Sequence, residues 1–217
     1  MSAGNVMSAD LRMTAGLVAA VIMAIALPRS AAPAPPAVVN VLHNFSLSSD
    51  YEDPALIYLD EAARELLIYE SSSSTVFILS HAGRLKYYFK VDVADPAVLF
   101  AAPGGEVGLV SRGGELSHYD NRGNFIEKRH LRKASPPTVT GGHYSPERNA
   151  VFFGDFNSQS AYGVTLNGET IFSKDGFRRI SDCLYQNGKV YVADQGGYSV
   201  MIYEADQGTL LHRFGRA

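Results

Sequence analysis

The stretch that decides the fold is VYVADQGGYSVMIYEADQGTLLHRFG, residues 190–215, close to the end of the sequence. It contains three apolar runs. A polar turn separates the first two runs, and a turn with Asp206 and Gly208 precedes the third. Because glycine adopts the positive φ that tight hairpin turns need, this order predicts three antiparallel strands joined by hairpins.

The same order of runs and turns occurs three more times, in residues 65–89, 106–131 and 150–173. A further apolar run precedes each unit, and a glycine stands just before each last run. These glycines are Gly83, Gly123, Gly168 and Gly208, separated by 40, 45 and 40 residues. A period near forty residues indicates a repeat array.

Each unit therefore predicts four short strands, a to d in chain order. Runs a and b are apolar almost throughout, as in ALIYL and VYVA, which predicts burial on both faces of a sheet. Run d alternates, as in RLKYYFK, so this strand is expected to be more exposed. Such units are typical of β-propeller blades, in which strand a lines a central channel. The alternative, a β-sandwich, does not need so regular a unit.

Four blades are the minimum for a propeller ring. Residues 38–45 (VVNVLHNF) read as a surplus outer strand, while the fourth unit already has its own strand d in residues 209–214. We therefore predict an all-β propeller whose four blades form an incomplete, open ring of the six-bladed type, with residues 38–45 not paired to residues 209–214. Uncovered apolar faces at its ends predict self-association.

The first 37 residues differ in composition from the repeats. Residues 13–27 (MTAGLVAAVIMAIAL) form an apolar run of signal-peptide length, shorter than the ~20 residues of a membrane-spanning helix, and a Pro- and Ala-rich spacer follows. We expect residues 1–37 to be a signal peptide or a retained transmembrane anchor, and residues 38–217 to be a propeller domain that is secreted, periplasmic or membrane-anchored. A disordered extension is the alternative.

Composition and charge narrow the class of protein further. With 46% hydrophobic and 19% charged residues, the chain of 217 residues can bury a core. A net charge of −3 provides no general basic field, so no nucleic-acid partner is expected. The single cysteine, Cys183, excludes an intramolecular disulfide and is expected to be a buried apolar residue.

Residues 190–215 resemble the NHL repeat, in which a strand ending in Ala-Asp is followed by a polar turn, a second strand, Asp-x-Gly and a strand ending in Phe-Gly. The resemblance weakens upstream, where Asp155 corresponds to Asp194, and Glu70 and Arg112 replace it in the first two units. The four diverged repeats cover residues 54–215. This repeat is specific for a propeller blade but says little about function.

The resemblance implies that Asp194 accepts backbone N–H bonds in its b–c turn. It also implies a binding face, because the b–c and d–a loops of such propellers share one end of the channel. The candidate binding residues in these loops are Arg112, Asp155, Asn157, Gln159, Asp194, Gln195 and Tyr198.

Catalytic and metal-binding motifs are not evident. In the amidating lyase, a related propeller, histidines after prolines of the inner strands hold zinc, whereas Ala55, Ala97 and Thr138 stand at those places here. His118 is expected near a c–d turn in contact with solvent, and His143, just after an inner strand, is the most notable of the six histidines. We expect no catalytic residue, metal or cofactor.

The sequence therefore predicts a binding module for a protein, peptide or glycan. The alternatives are a metal-dependent propeller enzyme of the lyase or lactonase type, whose scattered ligands no short motif would reveal, and a truncated propeller without a function of its own.

We predict that a fusion of residues 1–37 to a reporter enters or crosses a membrane, because the apolar run has the form of a signal or anchor. Cell fractionation and protease protection measure this. A matched fusion carrying Leu17→Arg and Val21→Arg, which interrupt the apolar run, is expected to stay soluble. A reporter that remains in the cytoplasm with either leader would contradict the prediction.

Overall fold

A computed structural model describes residues 54–132 and 136–215. They form four four-stranded antiparallel sheets without a helix, which confirms the all-β class. The strands are β1 (Pro54–Asp60), β2 (Glu65–Glu70), β3 (Thr75–Ser80), β4 (Leu85–Lys90), β5 (Pro96–Ala101), β6 (Val107–Ser111), β7 (Glu115–Tyr119), β8 (Phe125–His130), β9 (Val139–Ser145), β10 (Ala150–Asp155), β11 (Ser160–Thr165), β12 (Thr170–Lys174), β13 (Ile180–Gln186), β14 (Lys189–Asp194), β15 (Ser199–Glu204) and β16 (Leu210–Gly215).

The N-terminal leader (1–37) and the surplus strand (38–45) that the sequence predicts lie outside the described residues. Within residues 54–132 and 136–215, no helix has the length and apolarity needed to cross a membrane.

Each sheet is one blade, because its four strands pair in chain order. The four c–d turns contain the glycines of the repeat: Gly83, Gly123, Gly168 and Gly208 have φ of 75°, 79°, 89° and 62°. A side chain is strained in this region of φ, so glycine at a period near forty marks where each blade turns into its last strand.

The last strands of the blades are more exposed than the second and third strands. Strands β6 and β10, the second strands of blades 2 and 3, are buried at every position. The last strands β4 and β16 are exposed at all positions except Phe89. The expectation of a more exposed last strand is confirmed. Burial of the first strand on both faces is not general, because β5 is almost wholly buried whereas Ile57 and Leu59 of β1 are 58% and 56% exposed.

Three apolar clusters join the blades in sequence, one at each contact between neighbours. Phe100 of blade 2 stacks on Tyr144 of blade 3 with ring centroids 4.3 Å apart, and Phe152 of blade 3 stacks on Tyr185 of blade 4 at 4.9 Å. Phe100 also lies over Gly108 of the neighbouring strand, where a Cβ would overlap its ring. Each blade is thus held mainly by aromatic and aliphatic packing against the next.

The blades do not close into a ring. Strand β1 contacts β5, β5 contacts β9, and β9 contacts β13, but among the described residues no apolar cluster joins blade 4 to blade 1. The predicted open arc is confirmed for this part of the chain, while the six-bladed type remains a prediction.

Candidate functional site

The b–c turns and d–a connections lie at one end of the blades, which we call the loop face (residues 71–74, 91–95, 112–114, 136–138, 156–159, 175–179 and 195–198). In three blades the first residue of the b–c turn donates its backbone N–H to the connection that enters the same blade. These bonds run from Arg112 to Asp95 O (2.9 Å), from Phe156 to Thr138 O (2.9 Å) and from Gln195 to Arg179 O (2.9 Å). Turns and connections therefore form one surface, as the resemblance to the NHL repeat implies.

A buried aspartate organises this surface in blades 3 and 4. Asp194, 4% exposed, accepts the backbone N–H of Gly197 at 3.0 Å, and also those of Arg178 at 3.2 Å and Arg179 at 2.9 Å. The bond within the turn is the one implied by the resemblance. The bonds to the connection between blades 3 and 4 were not predicted, because they join residues 15 and 16 positions apart.

Burial alone would raise the pKa of Asp194, but the N–H groups of Arg179, Arg178 and Gly197 stabilise its carboxylate. The hydrogen bonds outweigh the desolvation and hold the pKa of Asp194 below its ordinary value. Asp194 is therefore an ionised structural group at neutral pH.

Asp155 holds the equivalent place in blade 3. Its carboxylate accepts the N–H of Asn157 at 3.0 Å, the hydroxyl of Ser158 at 2.6 Å and the N–H of Thr138 at 2.8 Å. With 3% of its surface exposed, Asp155 is buried beneath the loop face.

In blade 2, the expectation that Arg112 replaces this aspartate is wrong by one residue. Ser111 pairs with Pro96 at the end of strand b, as Asp194 pairs with Ile180, and the Ser111 hydroxyl accepts the N–H of Glu115 at 3.1 Å. Gly113 and Gly114 have no side chains by which this turn could be aligned with the turns of the other blades. The counterpart of Asp194 was therefore placed one residue too late in the sequence.

Arg112 lies on the loop face and is engaged locally. Its Nε is 3.0 Å from the carboxylate of Asp95, and its Nη1 donates to Val139 O at 3.4 Å. The side-chain amides of Asn157 and Gln159 are also used within the loops, since they donate to Thr138 Oγ1 at 2.8 Å and Phe156 O at 2.7 Å.

The remaining candidates, Gln195 and Tyr198, face solvent. Tyr198 is 76% exposed and adopts a φ of 49°, in the left-handed region. Ser74 and Gln159 occupy the same place before strand c, with φ of 52° and 50°. In this conformation the Tyr198 side chain faces solvent.

Sequence analysis missed three further exposed residues of the loop face. Phe156 is 47% exposed, and Arg178 and Arg179 are exposed on the connection from blade 3 to blade 4. No ion pair involves either arginine within the described ranges. An aromatic residue in a turn that is otherwise polar was the available signal for Phe156.

These residues follow one another across blades 3 and 4. The N–H of Phe177 donates to Gln159 O at 3.3 Å, which joins the connection to the turn of Phe156. On the other side, a Cβ on Gly196 would lie 2.8 Å from the Cβ of Arg178 and 2.9 Å from that of Arg179. We call Phe156, Arg178, Arg179 and Tyr198 the aromatic–arginine strip.

Two histidines differ from their predicted places. His118 lies near the c–d turn of blade 2, as predicted, but it is buried within β7 with 5% of its surface exposed, so the expected contact with solvent is wrong. His143 lies within the inner strand β9, not after it. Its Nδ1 is buried and has no hydrogen-bond partner among the described residues, and burial lowers the pKa of His143 to about 4.

The His143 ring lies 6.3 Å from the ring of Tyr58, which comes from the inner strand of blade 1. Burial, with a smaller effect from Asp60, raises the pKa of Tyr58 to about 12, so both side chains are neutral at pH 7.

Cys183 is buried, as predicted, with 1% of its surface exposed. In the part of the chain that the structure describes, no three His, Cys, Asp or Glu side chains converge where they could hold a metal ion.

The fold is similar to that of several solved propeller structures. The nidogen/laminin complex matches with a TM-score of 0.60 and 14% identity, over 75% of this chain and 64% of that one. A streptogramin B lyase matches with a TM-score of 0.60 and 15% identity, over 79% and 57%. A catalytically inactive variant of virginiamycin B lyase from Staphylococcus aureus, with quinupristin, matches with a TM-score of 0.53 and 15% identity, over 74% and 54%.

This chain thus spans between 54% and 64% of the length of these neighbours. No protein-family model matches the chain, and no curated protein matches it by sequence. At 14–15% identity the similarity shows a β-propeller fold.

We predict that Asp194→Ala lowers the free energy of unfolding by about 1–3 kcal/mol, because three backbone N–H groups lose their acceptor. Denaturant unfolding measures the change, and Glu169→Ala, which removes an exposed carboxylate in the c–d turn of blade 3, is the control. The native pKa of Asp194 is depressed, so its contribution is complete above the unfolded pKa of about 3.9 and is lost as the pH falls through the native value. Equal acid unfolding of Asp194→Ala and wild type would contradict the prediction.

A second pH effect is expected from His143. In the unfolded chain its imidazole binds a proton below a pKa of about 6.5, whereas the folded protein keeps it neutral down to about 4. The unfolded state therefore binds more protons between these values, and stability falls as the pH is lowered from about 6.5 to about 4. Denaturant titrations of His143→Phe should lose this slope, while the exposed His212→Phe should keep it. The same slope in His143→Phe and wild type would refute the assignment.

Proposed function

We propose that this chain is an NHL-like propeller module that binds a protein or peptide ligand through the loop face, on the outer side of a membrane. The aromatic–arginine strip carries this proposal. Tyr198, with 76% of its surface exposed, and Phe156, with 47%, stand in turns where polar residues are usual. Tyr, Phe and Arg are the residue types enriched in protein interfaces, and Tyr and Arg dominate their hot spots.

The scaffold beneath the strip supports the same function. Asp155 and Asp194 are buried and fix the backbone of their turns through the bonds described above. Since the turns are already ordered, a ligand would not have to order them on binding, and less of the interaction energy is lost.

The two exposed arginines of the strip indicate which chemical groups the ligand should carry. Arg178 and Arg179 are exposed on the connection that contacts the turns of Phe156 and Tyr198, and the same connection carries the exposed Asp175. A peptide that combines an apolar or aromatic side chain with a carboxylate would satisfy both parts of the strip, since guanidinium groups bind carboxylates in a bidentate fork.

The structural neighbours are compatible with binding, because one is the complex of nidogen with laminin. Two others are lyases, and His143 supports a lyase-type enzyme as the second candidate. Its neutral imidazole, with a buried and unpartnered Nδ1, lies on an inner strand and not on the loop face. The two functions therefore depend on separate residues.

We predict that peptides selected from a random display library on the purified protein bind through the strip. The double variant Phe156→Ser/Tyr198→Ser should weaken their binding at least tenfold, about the effect of losing one or two aromatic contacts. Calorimetry or fluorescence anisotropy measures the affinity, and thermal melts check that the variant folds.

The matched control is Phe125→Ser/Ile126→Ser, which removes two exposed apolar side chains from the outer strand β8. It should leave the affinity unchanged. Selected peptides that bind all three proteins equally would show that the loop face is not the binding surface. A glycan whose affinity falls with the same substitutions would show that the loop face is the binding surface but that the ligand is a glycan.

A further inference from the structure

We propose that the cleft between the outer parts of blades 1 and 2 binds a small molecule that combines an anionic group with an aromatic ring. The cleft has a volume of about 510 Å³ and is lined by Lys90, Asp92, Tyr119, Gly123, Phe125 and Lys128. This volume lies within the range of roughly 300–1,000 Å³ that is usual for small-molecule sites. None of the lining residues belongs to the aromatic–arginine strip, so the inference does not depend on the proposed function.

The lining residues come from two blades that are fixed against each other. Lys90 ends β4 and Asp92 lies in the connection that follows it, whereas the other four residues belong to β7, the c–d turn and β8 of blade 2. The Asp92 N–H donates to the Tyr119 hydroxyl at 3.1 Å. Phe89 lies against Gly123, where a Cβ would overlap its ring. The walls of the cleft are therefore held by the packing of blade 1 on blade 2.

The charged groups of the cleft favour an anionic ligand. Lys90 and Lys128 are exposed. Among the described residues neither Lys90 nor Asp92 forms an ion pair, and the Lys128 Nζ lies 3.9 Å from the carboxylate of Glu115. The lining thus carries two ammonium groups against the one carboxylate of Asp92, which makes a carboxylate or a phosphate the complementary group on a ligand.

An aromatic wall lies beside these charges. Phe125 is 57% exposed, and its ring packs edge-on against the ring of Tyr119 with centroids 5.8 Å apart. Tyr119 is itself only 3% exposed, so Phe125 presents the accessible aromatic surface of the cleft. A planar group of the ligand can pack on this ring while its anionic group pairs with the lysines.

The next blade contact lacks this combination of side chains. At the contact between blades 2 and 3, the strand registers place His130, Thr170 and Ser173 at the positions of Lys90, Phe125 and Lys128. The packing of one blade on the next therefore does not require two lysines and an exposed phenylalanine at this place. In a repeat protein, residues that differ between equivalent positions are those that can carry specificity for a ligand.

Three naphthalene probes test the chemistry of the ligand: naphthoate, naphthyl phosphate and the uncharged naphthamide. Isothermal titration calorimetry with the full chain at low ionic strength measures their affinities. At least one anionic probe should bind roughly tenfold more tightly than the amide, because only an anion pairs with the two lysines. Tighter binding of naphthoate would identify a carboxylate ligand, and tighter binding of naphthyl phosphate would identify a phosphate.

Two sets of variants locate the binding of the probes. Lys90→Gln/Lys128→Gln should weaken the anionic probes roughly tenfold and leave the amide unchanged. The matched control Arg84→Gln/Lys86→Gln removes two exposed cations near the start of β4, outside the cleft, and should bind like wild type. Phe125→Ser should weaken all three probes, because it removes the aromatic wall. Thermal melts check that each variant folds.

The loop-face variant Phe156→Ser/Tyr198→Ser should bind the probes like wild type, so failure of this site and failure of the loop-face function are distinguishable. Three results would each overturn the proposal. These are equal affinity of the amide and the anions for wild type, equal affinity of the anions for wild type and the double lysine variant, and no binding of any probe at millimolar concentration.

Discussion

The structure depends on one constraint, which is that a blade with two apolar faces must have a neighbour on each of them. Strands β6 and β10 are buried at every position because blades 2 and 3 lie between two other sheets. Phe100 on Tyr144 and Phe152 on Tyr185 are the points where this stacking is tightest. The turns, connections and loop face are positioned by that stacking, since isolated four-stranded sheets would leave these aromatic rings in water.

The sequence predicted the features of the fold that are local. Alternating runs and the glycines before each last strand are short-range signals, and they located every blade and every c–d turn. What it could not predict are contacts between distant segments. His118 reads as a residue near a turn but packs beside Phe100 of β5, across Gly108 of the strand between them, with ring centroids 6.1 Å apart. Because the Gly113-Gly114 turn does not fix the alignment, the sequence left open whether Ser111 or Arg112 is the counterpart of Asp194. The strand pairing shows that it is Ser111.

The residues of the candidate site have two roles, since some hold the backbone of the loops and others are exposed to a ligand. Asp155 and Asp194 were predicted as members of the binding face, yet both are buried and act on the backbone of the turns. Phe156, Arg178 and Arg179 were missed, because the exposure of a side chain in a connection is set by the loops packed beside it. On such a face the repeated residues specify the scaffold, whereas specificity for a ligand is carried by the residues that differ between blades.

The order of the strands has a consequence for how the chain acquires its structure. Every sheet pairs its strands in sequence, and the buried residues of each apolar cluster come from two blades that are adjacent along the chain. Contacts that are close in sequence form quickly and with a small loss of loop entropy. The arc can therefore be assembled during synthesis, from the first blade onwards. Each completed blade provides an apolar surface on which the next one condenses as it leaves the ribosome.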